Sequence, residues 1–224
     1  MIRKALFALA ALALGSSAAL ALPNGVVVSK DGRTVTVPHG VASYVHPGMH
    51  VPKGGKMLFS NIGYDYPKGL YFCCYGGTIS GPTSALGFSN WIGVAFTPAN
   101  TGKITEIELG VGYVEGTATA NIGIWSDSGG VPGTEIKGAD EALTQTYGGC
   151  CTTVTFKHKV AVTGGTQYWV VVSTDSNNSD LFGAWNFNST DEVDGLTTSE
   201  DYNGEGWGTA GSYVPGFNLT IYGK

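Results

Sequence analysis

The chain has 224 residues, of which 42% are hydrophobic and only 13% charged, and its formal net charge is −5. This length suits one well-buried domain, and the acidic balance disfavours nucleic acid and anionic lipid as partners. Glycine occurs 35 times, about twice its usual share of about 7%, and runs with helical spacing are missing after residue 22. The composition predicts an all-β protein of short strands and tight turns.

Residues 1–21 are typical of a secretory signal peptide. Arg3 and Lys4 form a positive start, residues 5–15 form an apolar run, and Ala19-Leu20-Ala21 supplies a small-x-small cleavage site. The run is shorter than the roughly 20 residues that span a bilayer, which disfavours an uncleaved anchor. Cleavage takes the formal charge from −5 to −7 and predicts a secreted, extracellular or periplasmic chain without an integral membrane span.

Residues 22–68 are predicted to form an N-terminal hairpin followed by an irregular arm. Val26–Ser29 and Thr34–Val37 flank an Asp31-Gly32 turn, which is a typical hairpin signal. Residues 38–67 are richer in Pro, Gly, Lys and His, and only residues 57–62 there are dense enough in apolar side chains for a strand. We therefore expect the main domain to begin at residue 69.

The cysteines come as two adjacent pairs, Cys73-Cys74 and Cys150-Cys151. Export to an oxidising compartment favours disulfides. Neighbouring residues of a strand point to opposite faces, so the pairing stays open between two bridges that join the segments and a vicinal bridge within each pair. A zinc or copper(I) site is disfavoured because CC lacks the usual C-x₂₋₄-C spacing.

The clearest strand signal runs from Lys103 to Gly133. Apolar residues alternate over 104–113 and again over 120–124, which predicts two paired strands, each followed by a tight turn. The second turn contains Asp127-Ser128-Gly129-Gly130, a tetrapeptide also found around the nucleophile of chymotrypsin-like proteases. No histidine stands in the context of a catalytic base, so turn chemistry is the favoured interpretation.

The second half of the chain contains the predicted core strand. Residues 167–174, QYWVVVST, are apolar at successive positions, which is typical of a strand buried on both faces. Residues 183–188 and 216–222 predict two more strands, whereas the acidic, glycine-rich residues 191–211 predict a loop. We expect residues 69–224 to form an antiparallel β-sandwich, jelly-roll-like and disulfide-pinned.

One loop is rich in oxygen ligands. Residues 175–180, DSNNSD, resemble a calcium loop superficially, but the glycine and the final glutamate of an EF-hand are missing. No cofactor is the leading prediction. The alternative is a calcium site of another type that uses Asp175, Asp180, Asp191 or Asp194.

Several segments together carry a family resemblance: IGVAFTP, ELGVGYVEGT, IWSDSGGVPGT, GGCC, GTQYWVVVSTD, GAWNFNSTD and FNLTIYG. With these, residues 71–222 resemble secreted bacterial β-sandwich proteins of the "choice-of-anchor" type. The resemblance implies a secreted or surface-located sandwich without an established enzymatic role, and it transfers no site residue.

The favoured function is a secreted, non-catalytic binding module that holds carbohydrate through aromatic loop residues. The predicted contacts are Trp185, Tyr202, Trp207 and Tyr213, with core packing as the alternative for Trp185. The partner is then a glycan or an extracellular surface component. A structural or cell-adhesion protein of the matrix or envelope is the first alternative, and a glycoside-acting hydrolase with Glu106 and Glu108 on one strand face is the second. We predict no catalytic residue.

Overall fold

The computed structural model describes residues 26–36, 53–60, 71–144, 154–188, 198–209, 217 and 219–224, without the side chains of residues 71–74, 188 and 198. Within these ranges every regular element is a β-strand, which confirms the all-β class. No helix of the described ranges is long and apolar enough to cross a membrane. The strands are β1 (Val27–Val28), β2 (Thr34–Thr36), β3 (Lys56–Ser60), β4 (Tyr71–Ser80), β5 (Asn90–Phe96), β6 (Gly102–Leu109), β7 (Val111–Glu115), β8 (Thr119–Asp127), β9 (Pro132–Ala142), β10 (Val154–Phe156), β11 (Val160–Val162), β12 (Tyr168–Ser173), β13 (Phe182–Asn188), β14 (Thr198–Tyr202), β15 (Trp207–Thr209) and β16 (Leu219–Gly223).

The described strands form two sheets with antiparallel pairing throughout. The larger sheet has the order β1-β2-β4-β5-β12-β8-β9, with β13 pairing to both β4 and β7 and with β14 pairing to both β5 and β15. The smaller sheet has the order β10-β6-β16-β3, and β11 also pairs with β6. All pairs are antiparallel, so the predicted pairing direction is confirmed.

One hydrophobic core joins the two sheets. Its side chains come from both, for example Ile92, Ile122, Ile124 and Val170 of the larger sheet and Ile107, Leu109, Phe156 and Ile221 of the smaller one, all fully buried. Because both sheets contribute their apolar faces to the same cluster, the arrangement is sandwich-like.

Strand β12 is buried along its whole length, as its sequence predicts. Tyr168, Val170 and Val172 point into the core between the sheets, whereas Trp169 and Val171 point to the outer face of the larger sheet. The outer face is therefore apolar at its centre as well, and this explains why the strand has no alternation.

The N-terminal hairpin is present. Val27 pairs with Thr36 across the turn, where Gly32 has a φ of +75°, a value that glycine adopts without strain. Strand β2 also pairs with β4, and β3 pairs with β16, so residues 22–68 contribute strands to both sheets.

The predicted pairing of residues 104–113 with 120–124 is wrong. Strand β6 pairs with β10, β11 and β16 of the smaller sheet, β7 pairs with β13, and β8 lies between β9 and β12. The alternation of both segments reflects an apolar face that is turned to the core, but the strands that pair with each segment are distant in the sequence.

Residues 191–211 are not simply a loop, because they contain the β14–β15 hairpin. Its first strand contains the charged residues Glu200 and Asp201, so the sequence there lacks the apolar alternation that predicts a strand. Its turn is visible in the sequence as Asn203-Gly204-Glu205-Gly206, where three residues have positive φ: Asn203 (61°), Gly204 (71°) and Gly206 (97°).

Trp185 belongs to the core and is not a surface contact. It is fully buried on β13, and its ring lies 5.3 Å from that of Phe217. The alternative interpretation of this residue is therefore the correct one, since a tryptophan with no exposed surface offers nothing to a ligand.

Several predictions concern residues outside the described ranges: the signal peptide at residues 1–21, Cys150, Cys151, Tyr213, Asp191 and Asp194. The backbone of Cys73 and Cys74 lies on β4, and their side chains are outside the description.

Candidate functional site

The β14–β15 hairpin carries two of the predicted contact residues, Tyr202 and Trp207. It lies beside β5, where Asp201 is opposite Trp91 and also opposite Trp207 on β15. Residues opposite each other in an antiparallel pair share a face, and successive residues alternate. Trp207 therefore shares the outer face with Asp201 and Trp91, while Tyr202 lies on the other face of the hairpin.

The outer face has a group of aromatic and apolar side chains that we call the tryptophan patch: Trp125, Trp169, Trp207, Ala95 and Val171. Trp169 is fully buried at its centre, whereas Trp125 and Trp207 are partly exposed at its surface. The rings of Trp125 and Trp207 meet edge to face, with centroids 5.9 Å apart and an interplanar angle of 77°. This geometry is favourable for two aromatic rings and fixes their relative position.

Two glycines make room for the indoles. A Cβ at Gly93 would lie 2.8 Å from Pro132 Cγ, 3.3 Å from Trp169 Cε3 and 3.5 Å from Trp207 Cζ3. A Cβ at Gly123 would lie 3.1 Å from Trp125 Nε1. The tryptophan rings thus cover the backbone of β5 and β8 where side chains are missing. Glycine inside the otherwise apolar runs WIGVAF and NIGIW is the signal that sequence reasoning missed.

Asp127 anchors the patch at one end. Its Oδ1 accepts hydrogen bonds from Trp169 Nε1 at 2.8 Å and from Gln167 Nε2 at 2.6 Å, and its Oδ2 accepts one from the Gly130 amide at 3.2 Å. The bond from Trp169, followed by those from Gln167 and the turn amides, lowers the pKa of the Asp127 carboxyl despite some desolvation. Asp127 therefore positions the turn and Trp169, and the turn-chemistry interpretation of residues 127–130 is confirmed by the Ser128 amide bond to Val131 O at 2.9 Å.

The other face of the hairpin borders a small pocket of about 180 Å³, which we call the hairpin pocket. It is lined by Arg33, Glu200, Tyr202, Glu205, Gly206, Gly208 and Thr209. The Arg33 guanidinium lies 3.6 Å from Glu200 Oε2, and its Cζ lies 5.2 Å from the centre of the Tyr202 ring. The Tyr202 ring also contacts Phe88 at 5.0 Å. The first hairpin and the β14–β15 hairpin thus meet at this pocket.

Glu200 is the most strongly buried charge of the pocket, with 9% of its surface exposed. Burial raises the pKa of the Glu200 carboxyl, the nearby Arg33 opposes that rise, and Asp31 adds to it. A perturbed carboxyl in a pocket is a recognised mark of a functional site, although ion-pair networks that serve structure also produce one.

The two described members of the predicted calcium set lie in different hydrogen-bond networks. Asp175 Oδ1 accepts a bond from the Asn177 amide at 2.7 Å, while Asp180 Oδ1 accepts one from the Thr117 amide at 3.2 Å. Bonding to Thr117 lowers the pKa of Asp180. Within the described ranges no group of three His, Cys, Asp or Glu residues is placed to hold a metal ion.

Glu106 and Glu108 lie on one face of β6 and are both about 94% buried, with 6% exposed. Glu108 Oε2 accepts a hydrogen bond from the Tyr222 hydroxyl at 3.2 Å, and Glu106 Oε2 lies 3.8 Å from Lys157 Nζ. Each carboxylate therefore has its own protein partner.

No protein-family model matches the chain, and no curated protein matches it. The arrangement of the described residues defines an all-β protein with a sandwich-like core and an aromatic outer face.

Proposed function

We propose that this protein is a secreted, non-catalytic binding module that holds carbohydrate against the tryptophan patch. The observation that carries the proposal is the fixed pair of partly exposed rings, Trp125 and Trp207, on an otherwise pleated sheet face. Apolar faces of sugar rings pack on aromatic side chains, and indoles add large contact area at low entropic cost.

Polar groups lie at both ends of the patch. Asp201 shares the face with Trp207, and Asp127 with Gln167 lies beside Trp169. A few hydrogen-bonding groups around an aromatic surface orient a hydroxyl-rich ligand and give specificity. Trp125 and Trp207 pack against the cluster that contains Trp169. Because the Trp169 indole N–H is hydrogen-bonded to Asp127, its ring is fixed, and the binding surface is preorganised.

The test is binding of the oxidised mature chain to a panel of soluble polysaccharides, measured by affinity electrophoresis and calorimetry. Trp207→Ala and Trp125→Ala are each expected to weaken binding by about tenfold or more, as for central aromatic contacts, and Trp207→Phe by less. The matched control is Tyr75→Ala, which removes a 40% exposed aromatic residue from β4. Unchanged affinity in both tryptophan variants would contradict the proposal. Absence of polysaccharide binding together with self-association would favour a structural or adhesive protein.

We also infer export, cleavage after Ala21 and oxidation of the four cysteines, as in the choice-of-anchor type of secreted sandwich. The expected mature chain begins at Leu22, and its mass is lower than the reduced mass by four hydrogens. Mass spectrometry of the exported protein with and without reduction and thiol alkylation tests both statements. Four alkylated thiols without reduction would contradict the disulfides.

A further inference from the structure

The hairpin pocket contains a carboxylate to which the described residues offer few hydrogen-bond donors. Glu200 lies opposite the core residue Ile92, and 9% of it is exposed. Its partner Arg33 is 3.6 Å away, which is longer than a good charge-assisted hydrogen bond. Within the described ranges no N–H or O–H group donates a hydrogen bond to the Glu200 carboxylate, whose ion-pair partner is Arg33. Burial is the main cause of the raised pKa of this carboxylate. Such a carboxylate gains from any donor that enters the pocket.

The net charge of the pocket determines which charge its ligand should carry. The lining contains two carboxylates, those of Glu200 and Glu205, and one guanidinium, that of Arg33, so these lining residues carry a net negative charge. The Arg33 amide donates a hydrogen bond to Asp31 Oδ1 at 3.2 Å. The Asp31 carboxylate adds to the negative electrostatic potential at Glu200. Complementarity therefore favours a cation and disfavours an anion.

The size and shape of the pocket limit the ligand to one small group. Its volume of about 180 Å³ is below the roughly 300–1,000 Å³ of typical ligand sites. The Tyr202 ring already contacts Arg33 and Phe88, so stacking on that ring is not the basis of recognition. A primary ammonium group has three N–H donors, which suit the carboxylate oxygens of Glu200 and Glu205.

We propose that the hairpin pocket binds a protonated primary amine, carried either by an amino sugar or by a free alkylamine. The proposal is independent of the tryptophan patch, because Glu200 and Tyr202 of the pocket lie on the face of the β14–β15 hairpin opposite to Trp207. The pocket would recognise the charge of its ligand, whereas the patch would contact the apolar face of a sugar ring. The ligand's ammonium group lies between Glu200 and Glu205 and completes the hydrogen bonding of Glu200.

The experiment is a calorimetric and NMR titration of the full mature chain at neutral pH with four probes: propylamine, glucosamine, glucose and glucuronate. We expect propylamine and glucosamine to bind and glucose and glucuronate not to bind. Glu200→Gln keeps the size of the side chain and is expected to weaken amine binding by about tenfold or more. Glu205→Gln is expected to weaken it by less because Glu205 is exposed. The matched control is Glu135→Gln, which removes an exposed carboxylate from β9 at the other edge of the sheet.

Arg33→Gln tests the proposal in the opposite direction, because it should not weaken amine binding. Removal of the competing cation is expected to leave amine affinity unchanged or to increase it, provided that the melting temperature shows the variant folded. Glucosamine bound more tightly than propylamine would assign the pocket to an amino sugar, and equal affinity would assign it to the ammonium group alone. Equal binding of glucose and glucosamine, preference for glucuronate, or amine binding that survives Glu200→Gln would overturn the proposal. Each of these outcomes leaves the polysaccharide test of the tryptophan patch unaffected.

Discussion

The indole nitrogen of Trp169 donates a 2.8 Å hydrogen bond to Asp127 Oδ1, which joins the central strand β12 to the turn between β8 and β9. Trp169 is fully buried on the outer face of the larger sheet, where a polar N–H needs a partner. The bond therefore satisfies the one polar atom of the largest side chain at the centre of the tryptophan patch, and it fixes the surface on which Trp125 and Trp207 lie.

Asp127→Ala is expected to destabilise the protein by about 1–3 kcal/mol because the buried Trp169 N–H loses its acceptor. Ser128→Ala, a change at the next and exposed position, is expected to stay within about 0.5 kcal/mol of the parent. Urea unfolding followed by tryptophan fluorescence measures both. Equal stability of the Asp127→Ala variant and the parent would show that water replaces the carboxylate.

Gly93→Ala is expected to cost about 1–3 kcal/mol, because the added methyl group would meet Pro132 Cγ at 2.8 Å and the Trp169 ring at 3.3 Å. Gly208→Ala is the matched control on β15, since no atom lies within 4 Å of a Cβ there. The near-ultraviolet circular dichroism of the tryptophans should change only in the first variant. A stable Gly93→Ala protein with an unchanged spectrum would mean that the indoles do not pack on β5 as described.

Trp185→Ala is expected to cost about 3–5 kcal/mol, as for a large aromatic residue deleted from a core. Trp207→Ala should cost clearly less, because Trp207 is partly exposed and its removal opens a surface and not a cavity. Thermal and urea unfolding of the two variants give the comparison. Similar losses in both would place Trp207 in the core of the fold and remove it from the proposed binding surface.

The stability of the protein should depend on the protonation of Glu200 in a direction opposite to that of Asp127. Burial raises the pKa of Glu200 in the folded state, so its ionisation is unfavourable there, and stability decreases as the pH rises from about 4.3, the usual pKa of Glu, through the folded value. Glu200→Gln should therefore melt at or above the parent temperature at neutral pH, and this advantage should shrink on acidification. A variant that melts lower than the parent at neutral pH would show that the Arg33 pair outweighs desolvation.

The lowered pKa of Asp127 produces stability that is present above about pH 3.9, the usual pKa of Asp, and lost as the pH falls through the folded value. Asp31 and Asp180 have lowered pKa values for the same kind of reason, bonds from Ser29 and from Thr117 respectively. Acid unfolding monitored by fluorescence should therefore begin at a higher pH in Asp127→Asn than in the parent. An unshifted acid transition would contradict the assigned role of the carboxylate.

The sequence by itself determined the all-β class, the N-terminal hairpin and the doubly buried strand β12. These are properties of local pattern: a turn with glycine at positive φ, and six apolar or small residues in succession. The sequence also marked Tyr202 and Trp207 as residues of interest, because aromatic side chains in an acidic, glycine-rich segment need an explanation.

Only the tertiary structure decided how these elements combine. Whether the alternating runs at residues 104–113 and 120–124 pair with each other depends on partners far along the chain. Alternation predicts that one face of a strand is apolar, but it does not predict which strand pairs with it. The sequence left core packing open for Trp185, and the structure buries Trp185 in the core while Trp207 stays partly exposed. Register places Trp207 and Tyr202 on opposite faces of one hairpin. Strands β5 and β12 bring Gly93 and Trp169 to the tryptophan patch, and the turn before β2 brings Arg33 to the hairpin pocket.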